Sequence, residues 1–353
     1  MNKLKIGVVF GGMSTEHDIS IVSGTSVIER LNKDKYEIYP IYIDTNGIWY
    51  TYNKSVSDIK MLSVGDDIQE KTKIENVNEY LKNVDVVFPV LHGLYGEDGT
   101  IQGLFELLNI PYVGCKVLGS SLCMDKAYAN AIFRKANIKR VNDMYVKKCG
   151  ENYKYINEYF DDENLNIEEL ADKVIEVLGL PVFIKPSNSG SSIGINKAKN
   201  KDEIISYVKV ASEFDKKIVI EQSVNVREIE CAVLGNDDPI ASIVGEILPA
   251  ENFYTFDAKY NNSESVCQIP ADIPEEQSER IRKIAIKAFK AADCKGLSRV
   301  DFFIDKESGE IYLNEINTLP GFTSISMYPQ LFEKSGLSYE NLLDKLISLA
   351  LEK

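Results

Sequence analysis

Short apolar runs alternate with amphipathic stretches through the first part of the chain. KIGVVF (residues 5–10), EIYPIYI (37–43) and VDVVFPVL (84–91) have the length and β-branched content of buried strands. Between and after them, ISIVSGTSVIERL and IQGLFELL repeat their apolar residues at helical spacing. This alternation predicts a parallel sheet with helices on its faces. Two of the strands run into glycine-rich loops, GGMSTEHDIS after the first and LHGLYGEDGTIQG after the third. Loops at the carboxyl ends of parallel strands are where such folds bind ligands.

From about Met124 the pattern changes. DKAYANAIFRKANI reads as a helix that leads to short strands. Residues 151–166 are strongly charged and read as a surface excursion, with a helix after them through IEELADKVIEVLG. LPVFIKPSNSGSSIGINKA gives a strand, a Ser/Gly loop and a second strand. KIVIEQSV, REIECAVLG and PIASIVGEI are further β-like runs, and a polar irregular stretch at 252–265 precedes the helix EEQSERIRKIAIKAFKAA. Two strands, SRVDFFID and EIYLNEIN, and a C-terminal helix follow. These changes divide the chain into 1–123, 124–215 and 216–353, with no internal repeat.

Composition narrows the class of partner. A formal charge of -14 argues against a general nucleic-acid or anionic-membrane binder, which needs a positive surface. The six cysteines contain no C-x-x-C pair, so reduced thiols of a cytoplasmic protein are expected. The apolar run in MNKLKIGVVFGG is too short for a signal peptide, and no segment reaches the length of a membrane span.

The chemistry concentrates near the C-terminus. Residues at i and i+2 share a face of a strand, so Arg299 and Asp301 point one way, as do Glu315 and Asn317 on the next strand. If the two strands pair in register, two carboxylates and a carboxamide form a hard oxygen site suited to Mg²⁺. A solvated face with surface ion pairs is the competing account. Lys185 and the Ser/Gly loop after it offer a cation, backbone N–H groups and hydroxyls to phosphate, although no G-x-x-x-x-G-K-[ST] is present. Lys126 is a second candidate cation, and Glu221 and Glu228 are carboxylates placed for a nucleoside; each taken alone is equally an ordinary structural residue. The first loop has the layout of a phosphate cradle, but Glu16 would repel phosphate and attract an ammonium.

Read in order, GGMSTEHDIS, HGLYGEDGTIQG, MDK, IKPSNSGSSIG, EQSVNVREIE, AKY, SRVDFF and NEINTLPGFTSISMYP resemble the D-alanine–D-alanine ligases, an ATP-grasp family. The likeness runs from residue 5 to about residue 330, and the charged excursion carries none of it. It implies an α/β ATP-grasp fold of three domains: an N-terminal parallel-sheet domain, then two α+β domains that sandwich ATP. It also implies ATP and two Mg²⁺ ions (or Mn²⁺), a cytoplasmic homodimer, and a product, D-alanyl-D-alanine, used for peptidoglycan precursors.

The resemblance further implies residue roles. Lys126 and Lys185 would bind ATP phosphates, with Ser191 and Ser192 covering them. Glu221 and the backbone near Val224 would hold adenine, Glu228 the ribose, and Asp301, Glu315 and Asn317 the metal ions. Glu16 would hold the ammonium of the first D-alanine, helped by His92, Ser191 and Tyr260. Arg299 and the Gly321 amide would form an oxyanion hole, and Ser326 and Met327 would meet the second D-alanine's carboxylate. Lys259 and Tyr260 would ride on a lid formed by the polar stretch at 252–265. His17 has no assigned role and reads as a helix-start residue.

Relatives that use D-serine or D-lactate as second substrate are the nearest alternative. Ala258-Lys259-Tyr260 and Met327 resemble the D-alanine users, since lactate users lack the Lys-Tyr pair and serine users tend to carry arginine at the methionine. A dinucleotide-dependent oxidoreductase fails, because GVVFGGMS lacks G-x-G-x-x-G. A non-catalytic nucleotide-binding module would leave Glu16, Tyr260 and Arg299 without a purpose.

Overall fold

Among the described residues, three β-sheets organise the chain, each drawn from its own stretch of sequence. The structure is a computed structural model that describes residues 3–66, 68–190, 194–248, 266–323 and 325–352. The first sheet joins β1 (Leu4–Gly11), β2 (Tyr36–Ile43), β3 (Trp49–Tyr52), β4 (Lys71–Lys73) and β5 (Val86–Val90) in the order β4-β3-β2-β1-β5. β1 runs parallel to both β2 and β5, as the alternation predicts. β3 and β4 add an antiparallel edge. Both are short, and β4 is Lys-Thr-Lys with no apolar residue, whereas β3 is Trp-Tyr-Thr-Tyr, whose aromatic residues are its strand signal.

Helix α1 (His17–Arg30) lies on β1, and the two backbones come into close approach at Gly24. A Cβ there would sit 2.4 Å from the Cβ of Phe10. After α2 (Val77–Leu81), the predicted helix near residue 101 is α3 (Thr100–Leu107). α4 (Val117–Met124) is an addition that its weak periodicity concealed, and α5 (Lys126–Lys135) follows at once. Asp125 separates them and caps α5 by accepting from the backbone N–H groups of Ala127 and Tyr128.

The second sheet is antiparallel at every pairing. It orders β10 (Asn196–Ala198), β9 (Val182–Pro186), β11 (Lys217–Gln222), β6 (Asp143–Cys149), β7 (Asn152–Ile156) and β8 (Asp162–Leu165). The charged excursion is therefore the hairpin β7–β8, which extends this sheet at its edge. Its charges are paired, Lys154 with Asp162 across the two strands and Glu163 with Lys173 of the helix that follows at 3.5 Å. Helices α6 (Ile167–Leu178) and α7 (Lys201–Phe214) cover one face and bury Met144, Val146, Ile184, Ile218 and Ile220. A capping box between Asn166 and Glu169 starts α6. Strand alternation then sends Lys185 and Glu221 to the opposite face.

The third sheet orders β14 (Val266–Gln268), β13 (Ile240–Leu248), β12 (Val226–Gly235), β15 (Gly296–Asp305) and β16 (Ile311–Asn317). Helix α8 (Glu275–Ala291) packs Ile281, Ala285 and Phe289 on Ile229, Cys231, Val300 and Phe302. The single C-terminal helix expected from the pattern is two, α9 (Met327–Lys334) and α10 (Tyr339–Ala350). They return to the first sheet: Leu331, Leu342 and Leu346 share one core with Ile6, Val8 and Phe10. The Tyr36 hydroxyl donates to Asp344 at 2.7 Å, and Arg30 pairs with Glu340. Among the described residues no helix is long and apolar enough to cross a membrane.

The contact at Gly24 gives a direct test of how α1 is seated. Gly24→Ala forces a methyl into Phe10 and should cost about 1–3 kcal/mol, read as a lower urea midpoint with unchanged m-value. A midpoint equal to or above that of the unsubstituted chain would show that helix and strand are not in this contact.

Candidate active site

A cavity of about 780 Å³ opens where the loops of the first sheet, the Ser/Gly loop of the second and the exposed face of the third meet. Each wall brings a different chemistry. Ser191, Ser192, Lys259, Tyr260 and the polar stretch at 252–265 lie outside the described residues.

Glu16 is the acidic corner. It occupies the N-cap position of α1, yet its side chain makes no capping bond and turns into the cavity. Ser14 fixes the turn: its hydroxyl donates to the His92 carbonyl at 2.6 Å and accepts from the Glu16 amide at 3.2 Å. Two glycines let other segments close on the carboxylate. A Cβ on Gly93, whose φ is +71°, would fall 2.6 Å from Glu16 Oε2, and one on Gly190 would fall 3.3 Å away. His17, left without a role by its sequence, bonds Gly12 O through Nδ1 at 2.6 Å and the Tyr42 hydroxyl through Nε2 at 3.1 Å. It braces the Gly11-Gly12 turn.

His92 and Glu97 hold the far wall. Nδ1 of His92 is 3.0 Å from the Leu319 carbonyl and Nε2 is 3.1 Å from the Ser23 hydroxyl. A carbonyl can only accept, so Nδ1 carries the proton and Nε2 accepts. Burial holds this imidazole below its usual range, against the raising effect of Glu16, so the ring is neutral. Glu97 accepts from the Gly93 amide at 2.9 Å and from the Leu319 amide. Both side chains therefore grip Leu319, midway between Asn317 and Gly321. Burial pushes the Glu97 carboxyl up to about 8, and the nearby Glu16 carboxylate adds to the rise. The sequence places Glu97 in the same glycine-rich loop as His92, with no role of its own. Its signal was a carboxylate inside a glycine-rich strand-end loop.

The β15–β16 hairpin pairs in register, Arg299 with Asn317 and Asp301 with Glu315, so all four side chains share one face. Arg299 grips Asp301 through Nε at 2.8 Å and Nη2 at 2.7 Å, and Asn317 Nδ2 lies 2.9 Å from Asp301 Oδ2. A bulge follows Asp301, where the register slips before Phe302. Glu230, which sequence reasoning passed over, places Oε2 3.0 Å from Arg299 Nε.

The donor chemistry of Asp301, Glu315 and Asn317 fits a hard divalent cation: adjoining oxygens on one face, with cationic side chains beside them. Among the described residues no three His, Cys, Asp or Glu side chains cluster to hold a metal unaided.

Two lysines reach the same region. Lys126, at the start of α5, donates to the Ser189 carbonyl at 2.8 Å and stands 3.4 Å from Glu315 Oε2. Lys185 is paired with Glu221 behind the cavity wall, and Arg140 approaches the other Glu221 oxygen at 3.4 Å. Burial alone would raise the Glu221 carboxyl, but Lys185 and Arg140 bring it below its usual range. Arg140 also donates to the Leu313 carbonyl at 3.0 Å, which ties the third sheet to the second. Nothing in the residue pattern marks it, since an arginine after a helix reads as surface charge. Val224 lies in the connection from β11 to β12, and Glu228 shares the cavity-facing side of β12 with Glu230.

Gly321 lies where a Cβ would come 2.8 Å from Ser326 Oγ. Ser326 is the N-cap of α9 without a side-chain capping bond, and its hydroxyl accepts from the Thr323 amide at 3.0 Å. Both Ser326 and Met327 line the cavity, so the start of α9 faces into it.

A largely parallel N-terminal sheet followed by two antiparallel sheets with helices makes this an ATP-grasp fold, as in the solved ligases that it resembles. Models of the D-ala D-ala ligase N-terminus and C-terminus match residues 5–115 and 149–348. The chain belongs to the D-alanine–D-alanine ligase family. It is 47% identical to a D-alanine–D-alanine ligase of Acetivibrio thermocellus, an alignment that covers 100% of this chain and 97% of the relative. Among solved structures it resembles the VanG D-Ala:D-Ser ligase of Enterococcus faecalis, with a TM-score of 0.84, 40% identity and coverage of 99% and 100%. It also resembles the Bacillus anthracis D-alanine–D-alanine ligase complexed with ATP, at a TM-score of 0.73, 31% identity and coverage of 99% and 97%.

The Glu97 carboxyl has a consequence for stability. Its native value lies above the unfolded value of 4.5, so the native state keeps a proton that the unfolded chain gives up. That contribution is complete below about pH 4.5 and is lost as pH rises through about 8. Glu97→Gln cannot lose a proton, so its urea midpoint should gain on that of the unsubstituted chain between pH 5 and pH 8. A constant difference across that range would place Glu97 in water.

Proposed function

We propose that this chain joins two D-alanine molecules to D-alanyl-D-alanine, with ATP converted to ADP and phosphate. The observation that carries this reading is the pairing of Glu16 with the Arg299–Asp301–Glu315–Asn317 face across a single cavity. An ammonium is recognised at one end and phosphate chemistry is equipped at the other.

A carboxylate does not react with an amine at neutral pH, so it must first be activated. In the proposed reaction a carboxylate oxygen of the first D-alanine attacks the γ-phosphorus of ATP, the β–γ bond breaks and ADP leaves. Glu16 holds the ammonium of that substrate, with Ser191 and Tyr260 completing the grip. Lys126 and Lys185 neutralise phosphate oxygens, Ser191 and Ser192 cover them, and Lys259 adds charge from the lid. Glu221, the Val224 backbone and Glu228 hold adenine and ribose. Mg²⁺ on Asp301, Glu315 and Asn317 supplies charge neutralisation at the phosphates when bound.

The second D-alanine then attacks the acyl phosphate through its amine. The C–N bond forms, the amine loses a proton and phosphate leaves. Arg299 and the Gly321 amide stabilise the negative oxygen that develops on the carbonyl. His92, neutral and committed to Leu319 and Ser23, contributes by fixing the segment that carries Gly321. Ser326 and the first amides of α9 receive the second carboxylate, and the apolar Met327 beside them favours a methyl group over a hydroxymethyl.

The same reading includes a cytoplasmic homodimer serving peptidoglycan precursors, built as three units near 1–123, 124–215 and 216–353. Leu107 on α3 and Leu118 on the neighbouring α4 support the dimer, being 87% and 60% exposed. Sedimentation at the mass of two chains is expected; a single-chain mass at micromolar concentration would remove the dimer from the reading.

ADP release measured with D-alanine, L-alanine, D-serine and D-lactate tests the reaction. Turnover should require D-alanine, and turnover independent of it would overturn the proposal. In the same assay Glu16→Gln should raise KM for the first D-alanine by roughly 10–100-fold, the worth of one charged hydrogen bond. KM for ATP should stay within about threefold, because a carboxylate offers phosphate no attractive contact to lose.

A further inference from the structure

Arg299 stands between two carboxylates of different chemical standing. On its own strand Asp301 takes Nε and Nη2 at 2.8 and 2.7 Å. From β12, Glu230 brings Oε2 to 3.0 Å from the same Nε. The register explains the convergence: Glu230 and Asp301 are direct cross-strand partners, so their side chains share the face that carries Arg299. The Glu230 side chain is 10% exposed and lines the cavity. Asp301 belongs to the oxygen set assigned above to the divalent cation. Glu230 lies on the opposite side of β15 from Glu315 and Asn317, outside that set.

An oxygen lone pair cannot serve a guanidinium and a cation in full at once. Pairing of Arg299 with Asp301 therefore competes with cation binding at Asp301. A second carboxylate against the same guanidinium relieves that competition, because Arg299 keeps a charged partner while Asp301 turns to the cation.

We infer that Glu230 is a positioning residue: it keeps the Arg299 guanidinium in the cleft and frees the Asp301 oxygens for the cation. This rests on the proposed assignment of Asp301 to the cation set. Loss of Glu230 leaves Arg299 to close on Asp301 alone, and the cation must then displace it.

The test is Mn²⁺ binding to the intact chain with ADP, followed by electron paramagnetic resonance without turnover. Glu230→Gln should raise the Mn²⁺ Kd by about three- to tenfold. In an Arg299→Ala background the same substitution should shift Kd far less, since only the direct field of the lost charge remains. Glu230→Asp, which keeps the charge, should recover part of the affinity and shows that the fold survives a change at this position. If the unsubstituted chain binds no Mn²⁺, the assignment of Asp301 is wrong. If it binds Mn²⁺ but Glu230→Gln leaves Kd unchanged, or shifts it equally in both backgrounds, the role of Glu230 is wrong.

Discussion

Charge buried at the meeting of three sheets has to be paired, and the cleft is organised by that requirement. Lys185 is held by Glu221, which Arg140 approaches from the other side. Lys126 is held near Glu315, and Arg299 lies between Asp301 and Glu230. An unpaired charge at such depth costs several kcal/mol, so each cation of the cleft is matched by a carboxylate beside it, and those carboxylates include the ones proposed for cation and adenine. On the proposed reading, phosphate at Lys126 would release Glu315 to the cation, and phosphate at Lys185 would release Glu221 to adenine.

The sheets make that arrangement possible through strand alternation. The second sheet gives Val146, Ile184, Ile218 and Ile220 to the core under α6 and α7, so Lys185 and Glu221 must face the other way. The third sheet gives Ile229, Cys231, Val300 and Phe302 to α8, which leaves Glu228, Glu230, Arg299 and Asp301 on the open side. In each sheet the helices are seated by the apolar set, and the polar set is left aimed at the partner sheet. Arg140 then joins the two by reaching from Glu221 to the Leu313 carbonyl. The first sheet closes the third side, held in place because α9 and α10 share its core.

Much of this was legible in the chain. The period-two spacing of Arg299, Asp301, Glu315 and Asn317 announced a polar face, and the hairpin register delivered it. Gly11-Gly12 with Glu16 at a helix start announced a loop shaped for a charged group. What stayed hidden depends on contacts distant in sequence. Arg140 is defined by Glu221, 81 residues away, and His92 by Leu319, 227 residues away. Glu230 looked like one more charge on a strand until its register with Asp301 was known. The charged stretch at 151–166 was read as an excursion because the edge strand β8 is Asp-Glu-Asn-Leu, polar on both sides, and only Tyr153 and Tyr155 of the short β7 mark a core-facing side.

The glycines around Glu16 connect the amine corner to the rest of the cleft. Gly93 comes from the first sheet's loop and Gly190 from the Ser/Gly loop of the second; a Cβ would come 2.6 Å from the Glu16 carboxylate at the first and 3.3 Å at the second, so side chains there would crowd it. The same Gly93 amide donates to Glu97, and Glu97 with His92 fixes Leu319 between Asn317 and Gly321. One short loop thus meets the carboxylate assigned to the amine and, through Leu319, the segment that runs from the hairpin end at Asn317 to Gly321. The amine corner and that segment are therefore positioned by the same few backbone and side-chain bonds, although the residues that make them lie more than two hundred positions apart in the chain.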